Sequence, residues 1–137
     1  RPSVGSPEHE MALSAIRAAS GQNGIDRLLG EANVDLLIAP SGPLSPAIDF
    51  INGDVWPPWV GAGHHAAVAG YPHLSIPMGV VRGLPLGMSV IGAINDDVNV
   101  LLAGQAIEGI VGPAPIPKFL PSASSHPKIR SSIEGQR

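Results

Sequence analysis

The chain has 137 residues, which is enough for one domain with a modest core. Only 14% of the residues are charged, against about a quarter in ordinary globular domains, so we expect other polypeptide to cover part of the surface. A net charge of −3 argues against a nucleic-acid partner, no apolar run is long enough to span a membrane, and the lack of cysteine excludes disulfides and cysteine nucleophiles.

The first ten residues, RPSVGSPEHE, contain no apolar region of the kind found in signal peptides. Nothing in this segment supports secretion, and the absence of an initiator Met suggests a piece of a longer chain. The expected compartment is therefore the cytoplasm.

Two helices are predicted in the N-terminal part. Ser6 can cap the first one, Pro7 suits its first turn because the missing N–H would be unpaired there, and Glu8 lies at the positive end of the dipole. We expect an Ala-rich helix over residues 7–19 that ends near Gly21. A second helix follows, with a one-sided apolar stripe of Ile25, Leu28, Leu29 and Ala32.

A strand and a long loop come next. Residues 34–40, VDLLIAP, are apolar on both faces, which is typical of strands in parallel sheets covered by helices. Residues 41–63 are rich in proline and glycine and predict an irregular loop. Loops of this length inside compact domains are usually functional or disordered.

The stretch 69–92, AGYPHLSIPMGVVRGLPLGMSVIG, predicts two strands around a turn at residues 82–85. One face of this hairpin is predicted to carry the bulky residues Leu74, Ile76, Met78, Val80, Leu86, Met88 and Val90. The other face is nearly bare, so that a helix or another backbone can approach it closely. Pro77 predicts an edge strand or a broken ladder. Because a lone hairpin buries too little apolar surface to offset its lost entropy, we expect it to join a wider sheet.

The last predicted helix covers about residues 96–110 and can be capped by Asn95 or Asp96. Apolar residues surround its axis, which predicts a buried helix. The Pro/Ser-rich residues that follow predict a tail with little regular structure. We therefore divide the chain into a domain part at residues 1–111 and a tail at residues 112–137.

Carboxylates and histidines offer few candidates for catalysis. Asp49 and Asp54 in the long loop could act as an acid and a base, but we favour solvated loop charges. His64 and His65 are adjacent, so on a helix they point about 100° apart and would seldom share one metal ion. We expect no metal site.

No nucleophile with its base can be assembled from this sequence. The only lysines, Lys118 and Lys128, lie in the tail, and no Gly-x-Ser-x-Gly elbow is present. The Gly61-Ala62-Gly63 segment has neither the Gly-Lys-Ser/Thr of a phosphate loop nor the spacing of a dinucleotide fingerprint. We therefore predict no catalytic residue and no cofactor in the chain.

Three segments of the chain, in this order, resemble the C-terminal portion of amidase signature family enzymes, especially the peptide-amidase-like members. They are GIDRLLGEANVDLLIAPSGP, the tripeptide NGD at 52–54, and AAVAGYPHLSIPMGVVRGLPLGMSVIG, and an apolar helix with Glu108 near its end follows. The similarity covers about residues 8–120. It implies an α/β fold in which this chain forms an incomplete, C-terminal part of a mixed β-sheet with covering helices.

The family hydrolyses carbon–nitrogen amide bonds with a Ser–cis-Ser–Lys triad, and the resemblance implies that these residues lie on an N-terminal segment absent from this chain. The chain would supply strands and pocket walls, and it would be inactive alone. The implied partners are the remainder of the amidase chain and a small amide substrate.

A departure from the family pattern suggests the substrate-binding residues. Many relatives have a Gly/Ser-rich stretch where this chain has PPWVGAGHHAAV. The bulky side chains there and in the loop before it are expected to line the pocket and set acyl-group preference. These side chains are Phe50, Trp56, Trp59, His64 and His65.

An alternative hypothesis is a free-standing, non-catalytic module that self-associates or regulates a full-length amidase. The low charged fraction fits both hypotheses, because each needs a covered surface. For the isolated chain we expect open sheet edges, and therefore dimers or aggregates.

Overall fold

The computed structural model describes residues 2–46, 51, 53, 61–117 and 119. Helices and strands follow one another along the chain with a short π-helical segment between the first two helices. The elements are α1 (Pro7–Ser20), the π segment (Gly21–Asp26), α2 (Arg27–Ala32), β1 (Leu37–Pro40), α3 (Gly63–Ala69), β2 (His73–Val81), β3 (Leu84–Ile91) and α4 (Asp97–Val111).

The N-terminal helix begins where its sequence predicts. The side chain of Ser6 accepts a hydrogen bond from the backbone N–H of His9 at 3.2 Å, and Pro7 occupies the first turn. The predicted end near Gly21 is confirmed, because α1 ends at Ser20 with Gly21 as its C-cap, and the π segment continues from there into α2. A Cβ at Gly21 would lie 3.0 Å from the ring of Tyr71, so this glycine allows the aromatic ring to pack against the helix.

The described strands form one sheet in the order β1-β3-β2, and both pairings are antiparallel. β1 pairs with β3 in the register Leu37↔Ile91, so the parallel neighbours that residues 34–40 predict are not among the described strands. The expected burial of this strand on both faces is also wrong for the described residues, because Ile38 is 62% exposed. The other edge of β1 has no partner strand in the described part of the chain.

The hairpin forms as predicted but contains a bulge. Arg82 and Gly83 have φ angles of 52° and 82°, the positive values of a two-residue turn that suits strand twist. Pro77 pairs with Gly87, whereas Gly79 pairs with Leu86, so Met78 is one extra residue on β2.

The bulge changes which residues share a face of the sheet. Val80 lies opposite Pro85 instead of Leu84, so it moves to the other face from the one that carries Leu74 and Ile76. The prediction that one face carries Val80 together with these two residues is therefore wrong. The broken ladder that Pro77 predicts is confirmed.

Two apolar clusters cover opposite faces of the sheet. On one face α4 packs on β2 and β3, where Ile76, Val90 and Val100 are buried. At one end of the other face the π segment, α2 and α3 contribute Ile25, Leu29 and Ala66, which pack with Ile91 of β3. The described residues therefore form an α/β arrangement with helices on both sides of a small sheet.

The close approach of α4 to the sheet depends on a glycine. A Cβ at Gly104 would overlap the side chain of Leu74. The nearly bare face that the sequence assigns to the hairpin is therefore not the one that α4 covers. The small residue that permits the close contact is Gly104, which lies on α4 and not on the sheet.

The prediction that α4 is buried is wrong for the described residues. Only Val100 and Gly104 are buried in this helix, because it contacts the sheet along one side. The opposite side exposes Val98, Leu101, Leu102 and Ile110. Residues 112–117 and 119 form no helix or strand, and none of the described helices is long and apolar enough to cross a bilayer.

Candidate functional site

Two of the five predicted pocket residues lie in the described part of the chain. His64 and His65 occupy the first turn of α3 and are exposed, with ring centroids 6.1 Å apart at an interplanar angle of 77°. The other three, Phe50, Trp56 and Trp59, lie outside the described residues. The pocket wall therefore stays a prediction.

The other chemical candidates named from the sequence lie outside the described residues. Asp49 and Asp54 lie outside the described residues, as does Lys118. Among the residues that the structure does describe, no group of three or more potential ligands could hold a metal ion. A shallow groove of 540 Å³ lies between α2 and the start of α4, but the carboxylate of Asp96 there already accepts a hydrogen bond from Asn99 at 2.6 Å.

A row of hydrogen-bonded side chains crosses the sheet on the face away from α4. The row contains His73 and Ser75 of β2, Ser89 of β3, and Ser41, which follows β1. We call these four residues the hydroxyl row. Strand pairing brings them together, because Ser75 lies directly opposite Ser89 and the N–H of Ser41 donates to the carbonyl of Gly87 at 2.8 Å.

The distances along the hydroxyl row are short and continuous. Nε2 of His73 lies 2.7 Å from Oγ of Ser89, Oγ of Ser89 donates to Oγ of Ser41 at 3.0 Å, and Oγ of Ser41 lies 2.9 Å from Oγ of Ser75. Ser89 is fully buried, whereas Ser75 and His73 are exposed. A buried hydroxyl is therefore satisfied at the centre of a row whose ends face solvent.

The His73–Ser89 pair is not arranged as a nucleophile with its base. A serine nucleophile must donate its proton to the base and must be reachable by substrate. The proton of Ser89 points to Ser41 instead, and the side chain has no exposed surface. The hydroxyl row can orient protons, but Ser89 cannot attack a substrate in this arrangement.

A second polar contact fixes the junction between α3 and β2. The hydroxyl of Tyr71 donates to Oδ2 of Asp26 at 2.7 Å. This hydrogen bond, together with partial burial and the negative charge of Asp26, raises the pKa of Tyr71 from its ordinary value of 10.0 to about 12. The contact joins the π segment to the loop before β2, and π-helical turns often occur at functional sites.

Sequence reasoning missed both polar contacts. The alternation of the hairpin places Ser75 and Ser89 on its bare face, but Ser41 joins them only through the pairing of β1 with β3. Asp26 and Tyr71 are far apart in sequence, and no motif connects them. The face of the hairpin that the sequence predicts to be nearly bare therefore carries an ordered polar row.

The chain is similar to one part of several known proteins. One of the subunits of glutamyl-tRNA(Gln) amidotransferase from Rickettsia bellii is 39% identical over 88 residues, which is 56% of this chain and 16% of that protein. The structure of the peptide amidase from Stenotrophomonas maltophilia matches with a TM-score of 0.74 and 28% identity over 87% of this chain and 23% of that chain. No profile of a known protein family matches the chain.

A third relative carries the family name. The structure of a bacterial aryl acylamidase, described as belonging to the amidase signature enzymes family, matches with a TM-score of 0.52 and 26% identity, over 77% of this chain and 24% of that chain. The chain spans about a quarter or less of the length of these relatives. The resemblance that the sequence suggests is confirmed: this chain is related to one part of the amidase signature enzymes.

Proposed function

We propose that this chain is the C-terminal part of an amide hydrolase, where it completes the sheet and walls the substrate pocket. The observation that carries the proposal is the structural match over 87% of this chain but only 23% of a peptide amidase. Under this proposal the nucleophilic serine, the bridging cis-serine and the lysine base lie on polypeptide outside the chain. The chain alone is then inactive.

The exposed apolar side chains support the proposal that other polypeptide covers part of this chain. Ile38 of β1 and the outer side of α4, with Val98 and Leu101, are each more than half exposed. Isolated surface apolar residues are normal, but several on one helix indicate contact with other polypeptide. The remainder of the amidase chain is the partner that we propose for these surfaces.

The two edges of the described sheet differ in a way that indicates where further strands pair. β2 carries Pro77, which has no N–H to donate, and the bulge at Met78, and both features discourage pairing at an edge. β1 has neither feature before Pro40 and exposes Ile38. We propose that the sheet continues beyond β1.

The substrate that we propose is a small amide of the kind that peptide amidases hydrolyse. The peptide amidase structure matches with a TM-score of 0.74, against 0.52 for the aryl acylamidase. The five expected pocket residues would then contact the acyl group. The cytoplasm remains the compartment that we expect, since the sequence offers no cysteines for an oxidising compartment to join.

A chimera tests the proposal. Residues 7–112 of this chain replace the aligned segment of the Stenotrophomonas maltophilia peptide amidase, and hydrolysis of a C-terminally amidated dipeptide is measured. We expect a folded chimera with measurable activity, no activity from the peptide amidase lacking that segment, and none from this chain alone.

Three results would count against the proposal. Amide hydrolysis by the purified chain would show that it carries its own nucleophile. A chimera with native-like circular dichroism and no activity would show that these residues do not fit an amidase pocket. If the purified chain forms a stable, stoichiometric dimer that leaves no apolar surface exposed, the self-associating module becomes the better hypothesis.

A further inference from the structure

A second groove, of 270 Å³, lies where α1 and the π segment meet the loop that joins α3 to β2. Its apolar lining residues include Ala69, Tyr71 and Ile94, and its polar lining residues include Arg17 and Gln22. None of the described residues that line it is acidic. We call it the Arg17 groove. It combines an apolar surface with a single positive charge.

The guanidinium group of Arg17 has no ion pair and no hydrogen bond within the described part of the chain. None of the residues three or four positions away from it along the helical segment is acidic, so no helical ion pair can form. Arg27 differs in this respect, because one nitrogen of its guanidinium group lies 2.9 Å from each carboxylate oxygen of Glu31. The donors of Arg17 are therefore available to a ligand, whereas Arg27 is already paired.

The chemistry of Arg17 selects one class of ligand group. A guanidinium group has five N–H donors in a planar fork, accepts no hydrogen bond and keeps its positive charge throughout the pH range in which proteins fold. Its complement is a carboxylate, whose two oxygens can accept two parallel N–H donors. The side chains of Ser14 and Gln22 line the same groove and have no hydrogen-bond partner among the described residues, so they can donate to the same ligand.

The apolar lining indicates what the carboxylate is attached to. Tyr71 is fixed in place, because its hydroxyl donates to Asp26 at 2.7 Å. Ile94 is 56% exposed, so it offers apolar surface that a ligand can cover. Pockets for drug-sized ligands have volumes of about 300–1,000 Å³, so a groove of 270 Å³ suits a smaller molecule or a single side chain.

We propose that the Arg17 groove binds a carboxylate with a small apolar body, held by the guanidinium group of Arg17 and in contact with Tyr71 and Ile94. The net charge of −3 gives the chain no general attraction for anions, so such binding reports the local chemistry of the groove. The site does not rest on the proposed function, because it involves neither an amide nor a catalytic group. A free carboxylic acid and an acidic side chain of covering polypeptide share this chemistry.

Titration of the complete 137-residue chain with benzoate tests the site directly. The ¹⁵N-labelled protein is followed by NMR at about pH 6, where a carboxylate is ionised. We expect saturable shifts of the side-chain Nε–H of Arg17 and of the backbone amides of Gln22 and Tyr71. Arg17→Gln is expected to raise the apparent Kd about 3- to 10-fold, as for the loss of a bidentate pair at a solvent-exposed site. Arg27→Gln is the matched control and is expected to leave the Kd unchanged.

Two control ligands show whether the charge and the apolar body both matter. Benzamide has the shape of benzoate without its charge, and inorganic phosphate has charge without an apolar body, so we expect both to bind more weakly than benzoate. The site is overturned if the Nε–H of Arg17 does not shift with benzoate, or if either control ligand binds as tightly as benzoate. Equal affinities of the wild type and Arg17→Gln for benzoate would also overturn it.

The chimera with the peptide amidase separates the two sources of the carboxylate. If the ligand is a free acid, the folded chimera binds benzoate as the isolated chain does. If an acidic side chain of the covering polypeptide occupies the groove, benzoate does not shift Arg17 in the chimera, and Arg17→Gln lowers the midpoint of its thermal unfolding. A folded chimera that neither binds benzoate nor loses stability on Arg17→Gln would overturn the site.

Discussion

The hydrogen bond between Tyr71 and Asp26 makes a prediction that optical titration can test. Tyr71 is the only tyrosine in the sequence, so ultraviolet absorbance of tyrosinate reports this one group. The hydrogen bond to Asp26, partial burial and the carboxylate charge raise the pKa of Tyr71 to about 12. We expect the absorbance midpoint of the folded protein near that value, against about 10 for the unfolded chain.

Replacing Asp26 by asparagine removes the negative charge and keeps a hydrogen-bond acceptor at the same position. The amide oxygen of the new side chain can still accept a hydrogen bond, but it has no negative charge to disfavour tyrosinate. We expect the midpoint of Asp26→Asn to fall toward the ordinary tyrosine value of about 10. Circular dichroism on the same samples identifies the pH range in which the fold persists, and Tyr71→Phe provides the blank.

The same bond has a consequence for stability. The pKa of Tyr71 is raised in the folded state. The contribution of this hydrogen bond to the free energy of unfolding is therefore complete below about pH 10 and is lost as the pH rises from 10 to 12. A hydrogen bond to a charged group contributes about 1.5–3 kcal/mol, and solvent screening at this partly exposed site reduces that to about 1 kcal/mol. Tyr71→Phe is expected to lose about this amount in urea unfolding at pH 7.

Two outcomes would refute this reasoning. The first is a wild-type absorbance midpoint near the ordinary tyrosine value while the protein is folded. The second is an Asp26→Asn midpoint equal to that of the wild type. Either result would mean that the carboxylate does not face the phenol in solution.

Three further predictions concern packing and surface. Gly21→Ala places a methyl group against the ring of the tyrosine and is expected to cost about 1–3 kcal/mol in urea unfolding, whereas Gly30→Ala has open space and is expected to stabilise by up to about 1 kcal/mol. In α4, the new methyl group of Gly104→Ala overlaps a leucine of β2, and we expect it to lower the free energy of unfolding by about 1–3 kcal/mol. Gly109→Ala is the control, because its methyl group meets nothing within 4 Å. Equal effects at the two positions would contradict the packing of α4. Ile38→Lys is expected to reduce self-association in sedimentation while changing stability by less than about 0.5 kcal/mol, because the side chain is 62% exposed; unchanged association would show that this edge is not used.

Local sequence signals predict the local structure well. Ser6 and Pro7 place the start of α1, and the two residues with positive φ, Arg82 and Gly83, lie inside the predicted turn. These features depend on a few neighbouring residues, so a short window of sequence contains their cause. The family resemblance also came from contiguous segments, and comparison confirms it.

Features set by distant contacts were missed or wrong. The π segment that follows α1 was not predicted, and the antiparallel pairing of β1 depends on β3. The face of Val80 changed because one bulged residue reverses the alternation that follows it. The hydroxyl row also depends on a distant contact, because Ser41 reaches Ser89 only when β1 pairs with β3.

The middle strand of the sheet is the last of the three to be synthesised. β1 ends at Pro40 and must wait for β3, which begins at Leu84, whereas β2 meets the same partner across a two-residue turn. Closing the longer loop costs more entropy, so we expect the hairpin to form first and β1 to dock afterwards. During synthesis, the apolar segment around Ile38 emerges well before the strand that pairs with it, and it stays unpaired with β3 until then.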